Sequence, residues 1–196
     1  MIKYFFASLF TLLLLGCKIN KEANDFETYT FLNICFEDYY LNFDIEISPL
    51  LNNFEILLIE EGHLSDSSGK AYKALFDSLQ KTDYFKPPLR MENFNNSLLY
   101  KNPTNVMDCA VRVFSLDSAQ ILNTNFSKVT QEINSEVSEN KDVSIHYFFN
   151  LYRNKLTNEE LRMPYVKQSI QLLLYRWYFK SKYDREIQIK MKEKTE

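Results

Sequence analysis

Apolar residues recur along most of this chain at spacings of three and four, the period of an α-helix with one buried face. Leu50, Leu51, Phe54, Leu57 and Leu58 share one stripe, and Gly62 stands where that helix should end in a left-handed turn. After Ser68, a second stripe of Ala71, Tyr72, Leu75, Phe76 and Leu79 predicts another helix, stopped before Pro87-Pro88. Asp117 and Gln120, flanked by Leu116 and Ile121, have the order of a capping box with a hydrophobic staple. From there Leu122, Phe126, Val129, Ile133 and Val137 predict one helix of about four turns.

Ile145, Phe148, Phe149, Tyr152 and Leu156 repeat the spacing, and Thr157 with Glu160, between Leu156 and Leu161, predicts a further box and staple. Pro164 suits the first turn of a new helix, where its missing N–H costs nothing. Val166, Ile170, Leu173, Leu174, Trp177 and Tyr178 give that helix a long apolar stripe and predict that it lies at the centre of the core. The fold class that follows is mainly α, an irregular helical bundle over residues 28–180 with a charged C-terminal tail at 181–196.

Two segments leave an alternative open. Residues 28–34 are rich in β-formers, and Met107, Cys109, Val111 and Val113 alternate as a strand would, so an α+β fold with a small sheet from 28–34 and 106–114 competes. Val106, Met107, Ala110, Val111 and Phe114 equally fit a helix, with Asn102-Pro103 as its cap and first turn. Two strands alone make a marginal sheet, which favours the helical reading.

At the N-terminus the pattern changes. Lys3 precedes about a dozen apolar residues, too few to span a bilayer permanently, in the charge-then-apolar order of an export signal. The run ends in Leu14-Leu15-Gly16-Cys17, which resembles the lipobox of bacterial lipoproteins; the resemblance covers these positions alone. It implies a signal peptide at 1–16 removed before Cys17, lipidation of Cys17, and attachment to the bilayer through several acyl chains. It implies no activity. Lys18, in place of the aspartate associated with inner-membrane retention in some bacteria, points to the outer membrane. Residues 17–27 then read as a polar tether whose ten residues from Lys18 to Glu27 reach about 33–36 Å when extended. The longest later apolar stretch, Ile170 to Tyr178, is interrupted by Gln171 and Arg176 and is too short to span.

Removing residues 1–16 takes away one lysine and no acid, leaving 22 basic and 26 acidic residues and moving the net charge from −3 to −4. Such a balance argues against a nucleic-acid partner. After Cys17 the only glycines are Gly62 and Gly69, so phosphate-cradling loops and dinucleotide fingerprints are excluded, and no cofactor is expected. Cys35 and Cys109 could form a disulfide in an oxidising envelope compartment or remain as two buried thiols.

Two histidines could serve as bases or ligands. His63 lies among Glu60, Glu61 and Asp66, a set able to hold a divalent cation; the favoured reading is a solvated helix end, with Gly62 left-handed and Asp66 or Ser68 capping the next helix. His146 flanks a predicted core stripe and reads as structural. The 16 Phe, 13 Tyr and one Trp fall mostly on core stripes rather than on a sugar-stacking surface. Tyr175-Arg176-Trp177-Tyr178-Phe179 wraps a helix and predicts a second buried face or a partner contact. The functional expectation is a membrane-tethered, non-catalytic binding or assembly module with an envelope or secreted protein as partner. The alternative is an envelope hydrolase using the carboxylates around His63.

Overall fold

The computed structural model describes residues 25–81, 105–140 and 143–177. The leader, Cys17, the tether up to residue 24, Pro87-Pro88, Asn102-Pro103, Tyr178, Phe179 and the charged tail lie outside the described residues. The described residues form a mainly helical bundle and contain no strand. The chain runs through α1 (25–41), α2 (Ile47–Glu60), α3 (Gly69–Leu79), α4 (Val106–Phe114), α5 (Ser118–Asn123), α6 (Asn125–Glu139), α7 (Ile145–Lys155), a 3-10 turn (Glu160–Arg162) and α8 (164–177).

The small-sheet alternative is not needed, because both ambiguous segments are helical. In α1, Thr28, Tyr29, Leu32, Cys35, Phe36 and Tyr40 are all buried. Their spacing continues past residue 34 with the helical period, and the burial of that stripe overrides the β-preference of its first half. α1 already runs at residue 25, so Asp25, Phe26 and Glu27, expected in the tether, are helical. In α4 the buried positions are Val106 and Ala110, one turn apart, while Met107, Val111 and Val113 of the strand pattern are exposed.

Local chemistry sets the helix boundaries. α2 ends at Gly62, whose φ of +75° lets the His63 and Leu64 N–H groups fold back onto the Leu58 carbonyl at 2.8 and 3.0 Å. Asp66 then accepts from the Ser68 N–H at 2.7 Å, and the Ser68 hydroxyl caps α3 by accepting from the Ala71 N–H at 3.2 Å. The box at Thr157 closes in both directions: the Glu160 N–H donates to Thr157 Oγ1 at 3.1 Å and the Thr157 N–H to Glu160 Oε2 at 2.8 Å. It opens only the short 3-10 turn, and Pro164 starts α8 two residues later.

The helix expected from 118 to 137 is broken in two. Thr124 is buried with extended backbone (φ −61°, ψ 150°), ends α5, and caps α6 by accepting from the Ser127 N–H. The break rotates the stripe, so Phe126, Val129 and Ile133 are buried while Leu122 and Val137 are exposed. The Asp117 box is likewise incomplete. Asp117 accepts from the Ala119 N–H at 2.9 Å, but the Gln120 amide turns away and donates to Thr28 Oγ1 at 2.8 Å, fastening α5 to α1.

α8 is the central helix. Val166, Ile170 and Leu174 on one side and Leu172 and Tyr175 on others are at most 3 % exposed. At 100° per residue these positions cover most of the circumference. Tyr165, Ser169, Leu173 and Arg176 share the remaining sector and are half-buried.

Gly69 marks the closest backbone approach. A Cβ there would lie 2.1 Å from the Asn158 carbonyl oxygen, so the start of α3 packs directly on the turn that precedes the 3-10 segment. Gly69→Ala is expected to destabilise the fold by about 1–3 kcal/mol through overpacking against backbone. The denaturation midpoint measures it, and a loss of no more than about 0.5 kcal/mol would contradict the close approach.

Candidate functional site

The carboxylates around His63 do not converge. Glu60, Glu61 and Asp66 are exposed and His63 is half-buried at the end of α2. Hydrogen bonds from the Ser68 hydroxyl and backbone N–H hold the Asp66 carboxyl below its ordinary range, the opposite of a carboxylic acid prepared to donate a proton. Among the described residues no group of three or more His, Cys, Asp or Glu side chains could hold a metal ion. His146 stands in the first turn of α7, where its ring meets the edge of Trp177 at 6.4 Å.

Cys35 and Cys109 are bonded to each other, with their Cα atoms 5.9 Å apart. The bond joins the buried face of α1 to α4, and the adjacent Phe31 and Phe114 rings stack at 4.4 Å. Tyr175 is fully buried with its ring edge-on to Phe54, and Trp177 packs on Phe149 at 5.6 Å, so the described part of the aromatic run forms a second buried face.

Sequence reasoning missed a buried polar chain linking α2, α3 and α8. Glu55 is 6 % exposed and accepts from Lys167 Nζ at 2.9 Å and from the Tyr72 hydroxyl at 3.0 Å; that hydroxyl in turn accepts from Gln171 Nε2 at 2.7 Å. Burial, and next the Glu55 charge, push the Tyr72 phenol well above its ordinary range, so it remains a neutral donor. The signal was present in the sequence, since Glu55 falls on the Leu51, Phe54, Leu58 stripe where an unpaired carboxylate would be costly. The arrangement is enclosed by α2, α3 and α8 and fixes their relative positions.

A concave feature among the described residues lies elsewhere. A groove of about 730 Å³ follows the half-buried sector of α8, walled by α6 and α7 and completed by residues of α1, α4 and α5. Its base is apolar, with Leu32, Phe36, Phe126, Ile133 and Leu172, and its edge carries Thr130, Gln131 and Asn134. At one end four rings meet: Phe126 lies 6.1 Å from Tyr152 and 5.7 Å from Tyr165, and Tyr165 lies 6.0 Å from Phe36. Burial pushes the Tyr165 phenol up to about 12 and, with Tyr165 as neighbour, pushes Tyr152 up as well; both rings are therefore neutral.

At the other end stands Arg176, the one charged side chain lining the groove among the described residues. Burial pulls the guanidinium below its ordinary range, yet it stays a cation at any physiological pH. It donates to the Tyr40 hydroxyl at 3.4 Å, whose own burial pushes it up to about 12. No histidine, carboxylate or cysteine lines the groove among the described residues, and Ser169 directs its hydroxyl to the Tyr165 carbonyl at 2.7 Å. These side chains can bind and orient a ligand; they do not assemble a nucleophile with a base.

Comparison of the chain with protein-family models, with curated proteins and with solved structures finds no match.

Proposed function

We propose that this chain is a lipid-anchored protein of the bacterial cell envelope that serves there as a non-catalytic binding module. The observation that carries the envelope half is the Cys35–Cys109 bond, because protein disulfides persist in oxidising compartments and are rare in the cytosol. It is independent of the Leu14-Leu15-Gly16-Cys17 order and supports the same destination. With the leader removed before Cys17, acyl chains hold the mature protein at the bilayer, and Lys18, standing where some inner-membrane lipoproteins have a retaining aspartate, favours the outer membrane. The groove along α8, concave and lined among the described residues mostly by apolar side chains, supports binding. The carboxylates near His63, open to solvent, give the hydrolase alternative no support.

Lipidation is tested by growing cells expressing the full chain with labelled palmitate. The wild-type protein is expected to carry label and to begin at Cys17, and Cys17→Ser to carry none. Equal labelling of the two would refute the anchor.

A further inference from the structure

We propose that α1 lies along the surface of the bilayer that holds Cys17, with the outward stripe of Phe26, Thr30, Ile34 and Leu41 set into the interface of a zwitterionic lipid. The inference deepens the lipid-anchor reading above and rests on it.

α1 is apolar on two opposite sides. Its inner side carries Tyr29, Leu32, Cys35, Phe36 and Tyr40, all buried, while Phe26, Ile34 and Leu41 are 57, 46 and 53 % exposed. At 100° per residue Phe26, Thr30, Ile34 and Leu41 fall within about 80° of arc, facing away from the buried stripe. A helix with apolar residues on both sides has a second face to cover. The polar groups within that arc already have protein partners. The Thr30 hydroxyl donates to the Phe26 carbonyl at 2.9 Å, and Glu37, half-buried, accepts from Asn33 Nδ2 at 2.8 Å and from the Ser48 hydroxyl.

The length of chain before α1 says what lies within reach of this face. Asp25 is eight residues after Cys17, a distance of at most about 26–29 Å when fully extended. With Cys17 acylated, the first turn of α1 and Phe26 within it therefore stay beside lipid. From Phe26 to Leu41 the stripe runs about 22 Å along the helix axis, suited to a helix lying in the plane of the interface. Val113, 59 % exposed, extends the apolar surface at the end of α4, next to Phe114, which stacks on Phe31 of α1.

Charge selects the headgroup. Glu27 and Asp38 are exposed along one edge of the stripe, and the net charge after Cys17 processing is −4. Both repel an anionic lipid, whereas the ammonium of an ethanolamine headgroup complements the edge carboxylates.

The experiment uses the lipidated protein purified from cells that express the full chain and are grown with labelled palmitate. It is reconstituted at high dilution in vesicles of phosphatidylethanolamine and phosphatidylcholine containing a trace of lipid with a diazirine near the glycerol end of one acyl chain. After irradiation, cross-linked peptides are mapped by mass spectrometry. Label is expected on α1, in excess over α3 and α7, and about tenfold less on Phe26→Asp with Ile34→Asp. Val137→Asp, at an exposed apolar position of α6, should label like the wild type. Circular dichroism and thermal melting report the fold of each variant. An acylated wild type without excess label on α1, or unchanged labelling of the folded double variant, overturns the proposal while the anchor stands. So does labelling of α1 that requires added phosphatidylglycerol, or an unlabelled α1 in a protein that cross-links to itself as a dimer. A wild type that carries no palmitate and washes off the vesicles refutes the anchor reading itself, and the proposal falls with it.

Discussion

Removing the Cys35–Cys109 bond, by reduction or by the double replacement Cys35→Ala with Cys109→Ala, is expected to lower the unfolding free energy by about 4 kcal/mol. The bond closes a loop with a sequence separation of 74. For a loop of that size the chain-entropy relation gives about 4.5 kcal/mol, slightly above the usual range for disulfides. Unfolding free energies of single domains are about 5–15 kcal/mol, so the loss is a large fraction of the total.

The effect should be concentrated at α4. This helix has nine residues and buries only Val106 and Ala110, and isolated helices of fewer than about 12 residues are marginal in water. The disulfide and the Phe31–Phe114 stack fasten it to α1. On reduction, amide hydrogens of α4 should exchange well before those of α8, whose side chains are buried around most of its circumference. Urea denaturation with and without reductant measures the global term, and hydrogen exchange the local one. A shift below about 1 kcal/mol would show that the bond constrains the unfolded chain far less than its loop length implies.

The helical stripes of α2, α3 and α7 were legible because each element carries its period and its stop signals within its own sequence. Gly62, Ser68 and the Thr157–Glu160 pair act locally and are found where the sequence places them. Reading failed where a local preference competes with tertiary burial. α1 begins with β-formers, and only the continuation through Cys35, Phe36 and Tyr40 shows the helical period. The break at Thr124 is hidden because a threonine within an amphipathic stretch is compatible with helix; its role as a cap depends on being buried where α5 meets α6. The groove was not legible at all. Its lining comes from six helices, and Arg176, which interrupts an apolar run in one dimension, becomes in three dimensions the charged end of an apolar track.

Glu55→Ala is expected to cost about 3 kcal/mol, at the lower end of the range for breaking a buried ion pair, because Lys167 keeps some contact with water. The cost has two sources. Lys167 is left as an uncompensated, partly buried cation, and the Tyr72 hydroxyl, fully buried, loses the carboxylate that accepts its proton. The second source is partly relieved by Gln171. Its Oε1 is buried without a hydrogen-bond partner, and half a turn of the amide would present that oxygen to the Tyr72 hydroxyl in place of Nε2. Exchanging both charges for apolar side chains, as in Glu55→Leu with Lys167→Met, should therefore be much milder than Glu55→Ala. It removes the desolvated charges together and leaves Tyr72 and Gln171 to satisfy each other. A double-mutant cycle on urea denaturation measures the coupling directly. Near-additive losses for Glu55 and Lys167 would mean that the two charges are solvated independently, and the ion pair would then have no part in holding α2 against α8.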